Sequence, residues 1–243
     1  MINFALTEGS PGLDLKDVAH ILLPGRGRNE NGNGLSRSGE RRALWAAEFF
    51  VEQDLASKGG VIVASGYKTP ADKAGDLWSP EDSDEVFTGV PEAYAYRDFL
   101  LKCRIGDTAI RIQPCSIRVE PHSIDTVTNL VRSEKEGHFP DNRPVAVVAQ
   151  RNHLARTLEI ADKVLDRPFM GIVVPEQGIG EPDSTWAQLA SRAVLLGIHP
   201  NTARIVRRTT SRAERIWSAV NGAQAAKRYA TSLFSAARDT HKV

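Results

Sequence analysis

Five short apolar runs punctuate the first three quarters of the chain, and longer stretches with helical periodicity separate them. The runs are AHILLP (19–24), VIVAS (61–65), AIRIQ (109–113), VAVVA (145–149) and GIVVP (171–175). Near-continuous apolar runs of this length read as strands covered on both faces, as in parallel sheets. AIRIQ is more alternating and is expected nearer an edge. Between the runs, residues 39–57 place Leu44, Ala47, Phe50 and Leu55 on one helical face. Residues 91–103 form a second expected helix with Pro91 in its first turn. Residues 123–137 form a third that Gly137 is placed to end, and residues 152–165 a fourth. Strands alternating with helices in this way predict an α/β fold, a three-layer sandwich around a mostly parallel sheet of about five strands.

From Asp183 onward the pattern is wholly helical, which divides the chain into an α/β domain over 1–183 and a helical C-terminal extension over 184–243. Charge shifts at the same boundary. The extension holds ten Lys/Arg against Glu214 and Asp239, a surplus of eight. The rest of the chain keeps 21 of the 31 basic residues and 28 of the 30 acidic ones. Val206, Ala213, Ile216, Val220, Ala223, Ala230, Phe234 and Ala237 recur at helical spacing along the extension. Three uses fit such a basic amphipathic tail: a cap on the sheet domain, a homodimer contact, or nucleic-acid binding. The last is disfavoured because no nucleic-acid fingerprint accompanies the arginines.

Composition narrows the class. Charged residues make up 25% and the hydrophobic set 41% of 243 residues, ordinary for a globular protein. No run approaches the ~20 apolar residues of a membrane span. The N-terminus lacks the pattern of a signal peptide. Cys103 and Cys115 are the only cysteines, with neither a disulfide framework nor metal spacing, so a reducing, cytoplasmic home is expected. No metal is expected either, since His122 and His153 form no recognised ligand spacing with Asp or Cys.

Candidate chemistry gathers behind the strands. Glu120, Ser123, Thr126 and Asn129 recur every third residue, a spacing that stacks side chains on one helix face. His153 and Arg156 follow VAVVA, where open α/β sheets bind ligands. The first strand ends in PGRGRNENGNG (24–34), in which Gly25 and Gly27 permit close backbone approach and Arg26 and Arg28 supply charge for phosphate or carboxylate. This is neither a dinucleotide fingerprint nor a P-loop. Ser65-Gly66 ends the second strand. Residues 68–90 form a long acidic connection that reads as a lid, an insertion or a disordered loop.

Taken together, these residues resemble the family that contains the SanA, ElyC and YdcF proteins. The likeness rests on Gly25, Arg42, Ser65-Gly66, Glu92, the ladder Glu120-Ser123-Thr126-Asn129, and His153-x-x-Arg156, and covers roughly residues 19–165. Tyr67 departs from the family's second glycine, and the 68–90 segment and basic tail lie outside its pattern. Lacking the membrane-spanning N-terminus of some members, the chain is more like the soluble YdcF branch. The resemblance implies a Rossmann-like fold and binding of a nucleotide-type ligand such as S-adenosylmethionine. On this reading His153, Glu120 and Arg156 are candidate catalytic groups. Gly25, Arg26, Gly27, Arg42, Ser65, Gly66, Glu92, Ser123, Thr126 and Asn129 are candidate ligand contacts.

Three functions follow as expectations. The first is an enzyme acting on an anionic, nucleotide-like or phosphorylated small molecule, a transferase using S-adenosylmethionine being preferred. The second is a hydrolase or lyase for a phosphoester or glycosidic bond, with Glu120 and His153 as acid and base. The third is a non-catalytic module whose basic tail binds a partner.

Overall fold

Alternate residues of each central strand enter opposite cores, and this builds three layers. A computed structural model of the protein describes residues 6–7, 9–69, 72–105, 108–109, 112–175, 185–199 and 204–220. In chain order the elements are β1 (Leu6–Thr7), β2 (His20–Pro24), α1 (Arg37–Glu52), β3 (Ile62–Ser65), β4 (Leu77–Trp78), β5 (Phe87–Thr88), α2 (Glu92–Lys102), β6 (Arg104–Ile105) and β7 (Thr108–Ala109). There follow β8 (Ile117–Glu120), α3 (Thr126–Lys135), β9 (Val145–Gln150), α4 (Arg151–Val164), β10 (Phe169–Val174), α5 (Thr185–Leu195) and a helix over 205–220, here α6. Ile21, Leu23, Ile62 and Ala64 face a core closed by Phe49 and Phe50 of α1 and Tyr96 and Leu100 of α2. Leu22, Val63, Val147 and Ala149 face the other way, toward Val127 and Leu130 of α3 and Leu154 and Ile160 of α4. The second core also takes in Val194 of α5 and Ile205 and Ala213 of α6. The described part of the C-terminal extension therefore packs on the α3–α4 layer of the sandwich.

The sheet runs β1-β10-β9-β2-β3-β8. Five strands are parallel, and only β1 joins antiparallel, at the edge beside β10. The fold is thus a mostly parallel, Rossmann-like α/β sandwich with C-terminal helices. The chain winds outward from β2 through β3 to β8, then returns to the far side of β2 for β9 and β10. That reversal places a topological switch point between β2 and β9, where open α/β sheets form their ligand crevice. The ladder between β2 and β9 stops at Leu22–Val147, whereas β9 continues beside β10 to Gln150. The two strands part at their carboxyl ends, and the gap is filled by a buried arginine described below.

Several elements differ from their sequence reading. The edge strand is Ile117–Glu120, not 109–113. Residues 104–105 and 108–109 pair antiparallel, and 106–107 and 110–111 lie outside the described residues. Pro114 opens a tight turn that delays the strand, whose Ile117 and Val119 face the α1–α2 core while Arg118 is exposed and Glu120 is buried. The third helix begins at Thr126 rather than Ser123. Asp125 is its N-cap: it accepts from Thr128 N at 2.8 Å, and Thr128 Oγ1 accepts from Asp125 N at 3.1 Å. This reciprocal box satisfies the free amides of the first turn. The polar ladder is consequently not a helical stripe: Glu120 ends a strand, Ser123 sits in the connecting loop, and only Thr126 and Asn129 are helical.

Candidate active site

Three segments meet at the carboxyl ends of the parallel strands: the loop after β2, the turn after β3 with the start of α2, and the loop into α3 with the start of α4. They border an open cleft of about 160 Å³. Gly25, Arg26 and Gly27 form one side, Gly66 and Glu92 the floor, and Ser123, Thr126, Asn129, His153 and Arg156 the opposite wall.

The floor depends on two glycines. A Cβ on Gly25 would lie 2.5 Å from Glu92 Oε2, and Gly66 has φ +137° with its missing Cβ 3.3 Å from Gly25 Cα. Side chains at either position would push the two turns apart. Glu92 stands at the first position of α2, and its Oε1 accepts from the backbone N–H of both Arg26 and Gly27. That carboxylate holds the glycine loop in place. Burial raises its pKa from the ordinary carboxylate value, while the two amides and Arg42 oppose the rise. Backbone bonds complete the floor: Gly66 N donates to Glu120 O at 2.9 Å and Ala93 N to Gly66 O at 2.8 Å.

The opposite wall is a hydrogen-bonded relay. Arg42 of α1 is fully buried in the gap between β2 and β9. Its guanidinium donates to Pro24 O and to Gln150 Oε1, and its Nη2 lies 3.0 Å from His153 Nδ1. A guanidinium only donates, so Nδ1 accepts. Burial, then the charges of Arg42, Arg156 and Arg26, holds the His153 pKa well below its usual value. The imidazole is therefore neutral, with its hydrogen on Nε2, and it donates to Thr126 Oγ1 at 3.0 Å. Thr126 Oγ1 also accepts from Arg156 Nη1 at 2.8 Å, and that same Nη1 reaches Ser191 Oγ at 3.2 Å. Both lone pairs of the Thr126 hydroxyl are taken. Its own hydrogen has no acceptor among the described residues, and Thr126 lines the cleft. Beside it Ser123, 1% exposed, has a buried hydroxyl without a hydrogen-bond partner. Two polar groups thus remain to be satisfied by whatever fills the cleft.

The candidate residues of the sequence divide into two sets. The cleft residues above come together as a surface. Glu120, Ser65 and Arg42 do not reach it. Glu120 is fully buried; its Oε2 accepts from Ser65 Oγ at 2.6 Å and its Oε1 from His122 N at 2.9 Å. Ser65 Oγ also lies 3.1 Å from Asn129 Oδ1. This pair ties β3 and β8 to α3 behind the wall, so Glu120, expected as a catalytic group, and Ser65, expected as a ligand contact, do not line the cleft. Arg42 orients His153 rather than touching the cleft. His153 lines the cleft, but both its ring nitrogens are occupied within the protein, Nδ1 by Arg42 and Nε2 by Thr126.

Arg28 does not line the cleft either. It is 9% exposed and pairs with Asp72 at 2.8 Å. It also donates to Gly32 O at 3.1 Å and Ala74 O at 2.9 Å. The 68–90 segment is folded around this arginine, apart from 70–71, which lie outside the described residues. The β4–β5 hairpin within it packs Trp78 and Phe87 against Tyr94 of α2 and Tyr67.

Sequence reasoning missed Asp125, Lys68, Ala187 and Trp217, all of which line the cleft. Trp217 of α6 donates from Nε1 to Asp125 Oδ2 at 3.0 Å. Its signal was an aromatic residue inside a basic helix, next to Ile216 of the apolar stripe but not counted in it. No family model, curated protein or solved structure matches this chain. Among the described residues no group of His, Cys, Asp or Glu is arranged to hold a metal, and no helix is long and apolar enough to cross a membrane.

Proposed function

We propose that the protein is a small-molecule transferase whose cleft binds an anionic, nucleotide-type ligand. The observation that carries this reading is the Thr126 hydroxyl, forced to donate into the cleft by Arg156 and His153 on its two lone pairs. It stands at the first turn of α3, where the helix dipole favours negative charge. Arg26 and Lys68 face the same space from the other side. A phosphate or carboxylate on this wall would find one hydroxyl donor, cationic neighbours and the free Ser123 hydroxyl.

The carboxylate end of S-adenosylmethionine offers these groups the same anion. Arg156 and Thr126 would hold its carboxylate, and Glu92 Oε2, which accepts no hydrogen bond among the described residues, would take its ribose hydroxyls. When bound it supplies an activated alkyl group for transfer. The chain's own contribution is orientation and charge. Hydrolysis is the weaker reading, because Glu120 is sequestered and His153 is held neutral with no free nitrogen.

Calorimetry of the whole chain with S-adenosylmethionine, AMP and ribose 5-phosphate tests the reading. Saturable binding is expected for at least one, weakened tenfold or more in Arg156→Gln. An absence of binding across all three, or an unchanged affinity in the variant, would overturn it. Release of product from a phosphoester with no acceptor present would contradict transfer specifically.

A further inference from the structure

The cleft has two chemically different ends. One is the polar wall of Thr126, Arg156 and Ser123. The other is roofed by the C-terminal helices, where Trp217 of α6 and Ala187 of α5 join Ile124. Trp217 is half-buried, packed on the α3–α4 core, and its indole N–H is committed to Asp125. With the N–H tied down, the ring is fixed in orientation and only its apolar surface is left for the cleft. A bare phosphate would occupy the polar end alone and leave this surface wet.

From this we infer that Trp217 is a ligand-contacting residue, the stacking wall for a planar heterocycle carried on the anion that Thr126 and Arg156 bind. The inference rests on the anion-site reading and narrows its ligand class to a nucleoside phosphate or a nucleoside carrying a carboxylate. It also assigns the basic extension a role in the site. Asp125 makes the link, because the carboxylate that caps α3 through Thr128 N also fixes the Trp217 ring. Stacking of a base on an aromatic ring is sequence-tolerant and contributes appreciably to affinity.

The experiment compares AMP, S-adenosylmethionine and ribose 5-phosphate on the full-length protein by calorimetry. Binding is followed in parallel by the tryptophan emission that Trp217→Phe removes. In the wild type at least one base-containing ligand is expected to bind at least tenfold more tightly than ribose 5-phosphate and to quench Trp217. Whichever of AMP and S-adenosylmethionine gains this advantage identifies the anion as phosphate or carboxylate. Trp217→Leu should abolish that preference while leaving ribose 5-phosphate affinity within a few-fold. Trp217→Phe, which loses the Asp125 bond but keeps a ring, should retain most of it. A merely structural tryptophan would weaken all ligands together in both variants. The inference is overturned if ribose 5-phosphate binds as tightly as either base-containing ligand, or if Trp217→Leu leaves the preference intact. Failure of all three ligands to bind the wild type overturns the underlying anion-site reading instead.

Discussion

Replacing Thr126 with Val keeps the shape of the side chain and removes one oxygen, so it isolates the group on which the proposed site depends. Two consequences follow. In the free protein, His153 Nε2–H loses its acceptor, and Arg156 Nη1 loses its bond to Thr126. A buried donor left without a partner costs about 1–3 kcal/mol, so a loss of stability in that range is expected. In the complex, a hydrogen bond to an anion disappears. Bonds to charged groups are worth about 1.5–3 kcal/mol, which at 1.4 kcal/mol per tenfold corresponds to roughly ten- to 150-fold weaker binding. Thr126→Ser keeps the oxygen and should restore most of both. Urea denaturation gives the first quantity and calorimetry at fixed ionic strength the second. If Thr126→Val binds the ligand as tightly as wild type while showing the stability loss, the hydroxyl faces the protein alone and the directional argument fails.

Other perturbations probe the supporting structure. Arg42→Met should cost several kcal/mol, since it strands Pro24 O, Gln150 and His153 Nδ1 in a dry gap, and a denaturation midpoint close to wild type would contradict that burial. Arg28→Ala should expose the 72–90 segment to protease well below the global unfolding transition, because Asp72 and four carbonyls lose their shared donor. Acid should destabilise the fold below about pH 6.5. Burial lowers the pKa values of His20, His138 and His153, so the unfolded chain takes up protons that the folded one refuses. Stability therefore rises with pH through this window, by about 1.4 kcal/mol between pH 5.5 and neutrality for each histidine that stays neutral. A His153 ring resonance that titrates near 6.5 would show that the imidazole is not locked.

The strands and their order of appearance were legible because a parallel sheet covered on both faces leaves long apolar runs such as VAVVA and GIVVP. The edges were not. Leu6–Thr7 is too short to carry a pattern, and Ile117–Glu120 mixes Arg118 and Glu120 into four residues. Spacing also misled at the ladder. A period of three was read as a helix face, yet Pro121 and the Asp125 cap break the segment into strand end, loop and helix. Thr126 and Asn129 reached the site region for a different reason than periodicity suggested. Arg28 and Arg26 look alike in sequence; only the carbonyls gathered by residues 72–90 show that one is an internal brace and the other faces the cleft. Trp217 could not be placed from sequence, because its position depends on how α6 crosses the start of α3, some 90 residues away along the chain.

The central claim is that an anion sits on the wall formed by Thr126 and Arg156, and a crystal structure of the AMP complex tests it most directly. The account predicts the phosphate within hydrogen-bond distance of Thr126 Oγ1 and the Arg156 guanidinium, with Ser123 Oγ newly partnered. A phosphate bound elsewhere on the protein, with the hydrogens of both hydroxyls still undonated, would contradict it.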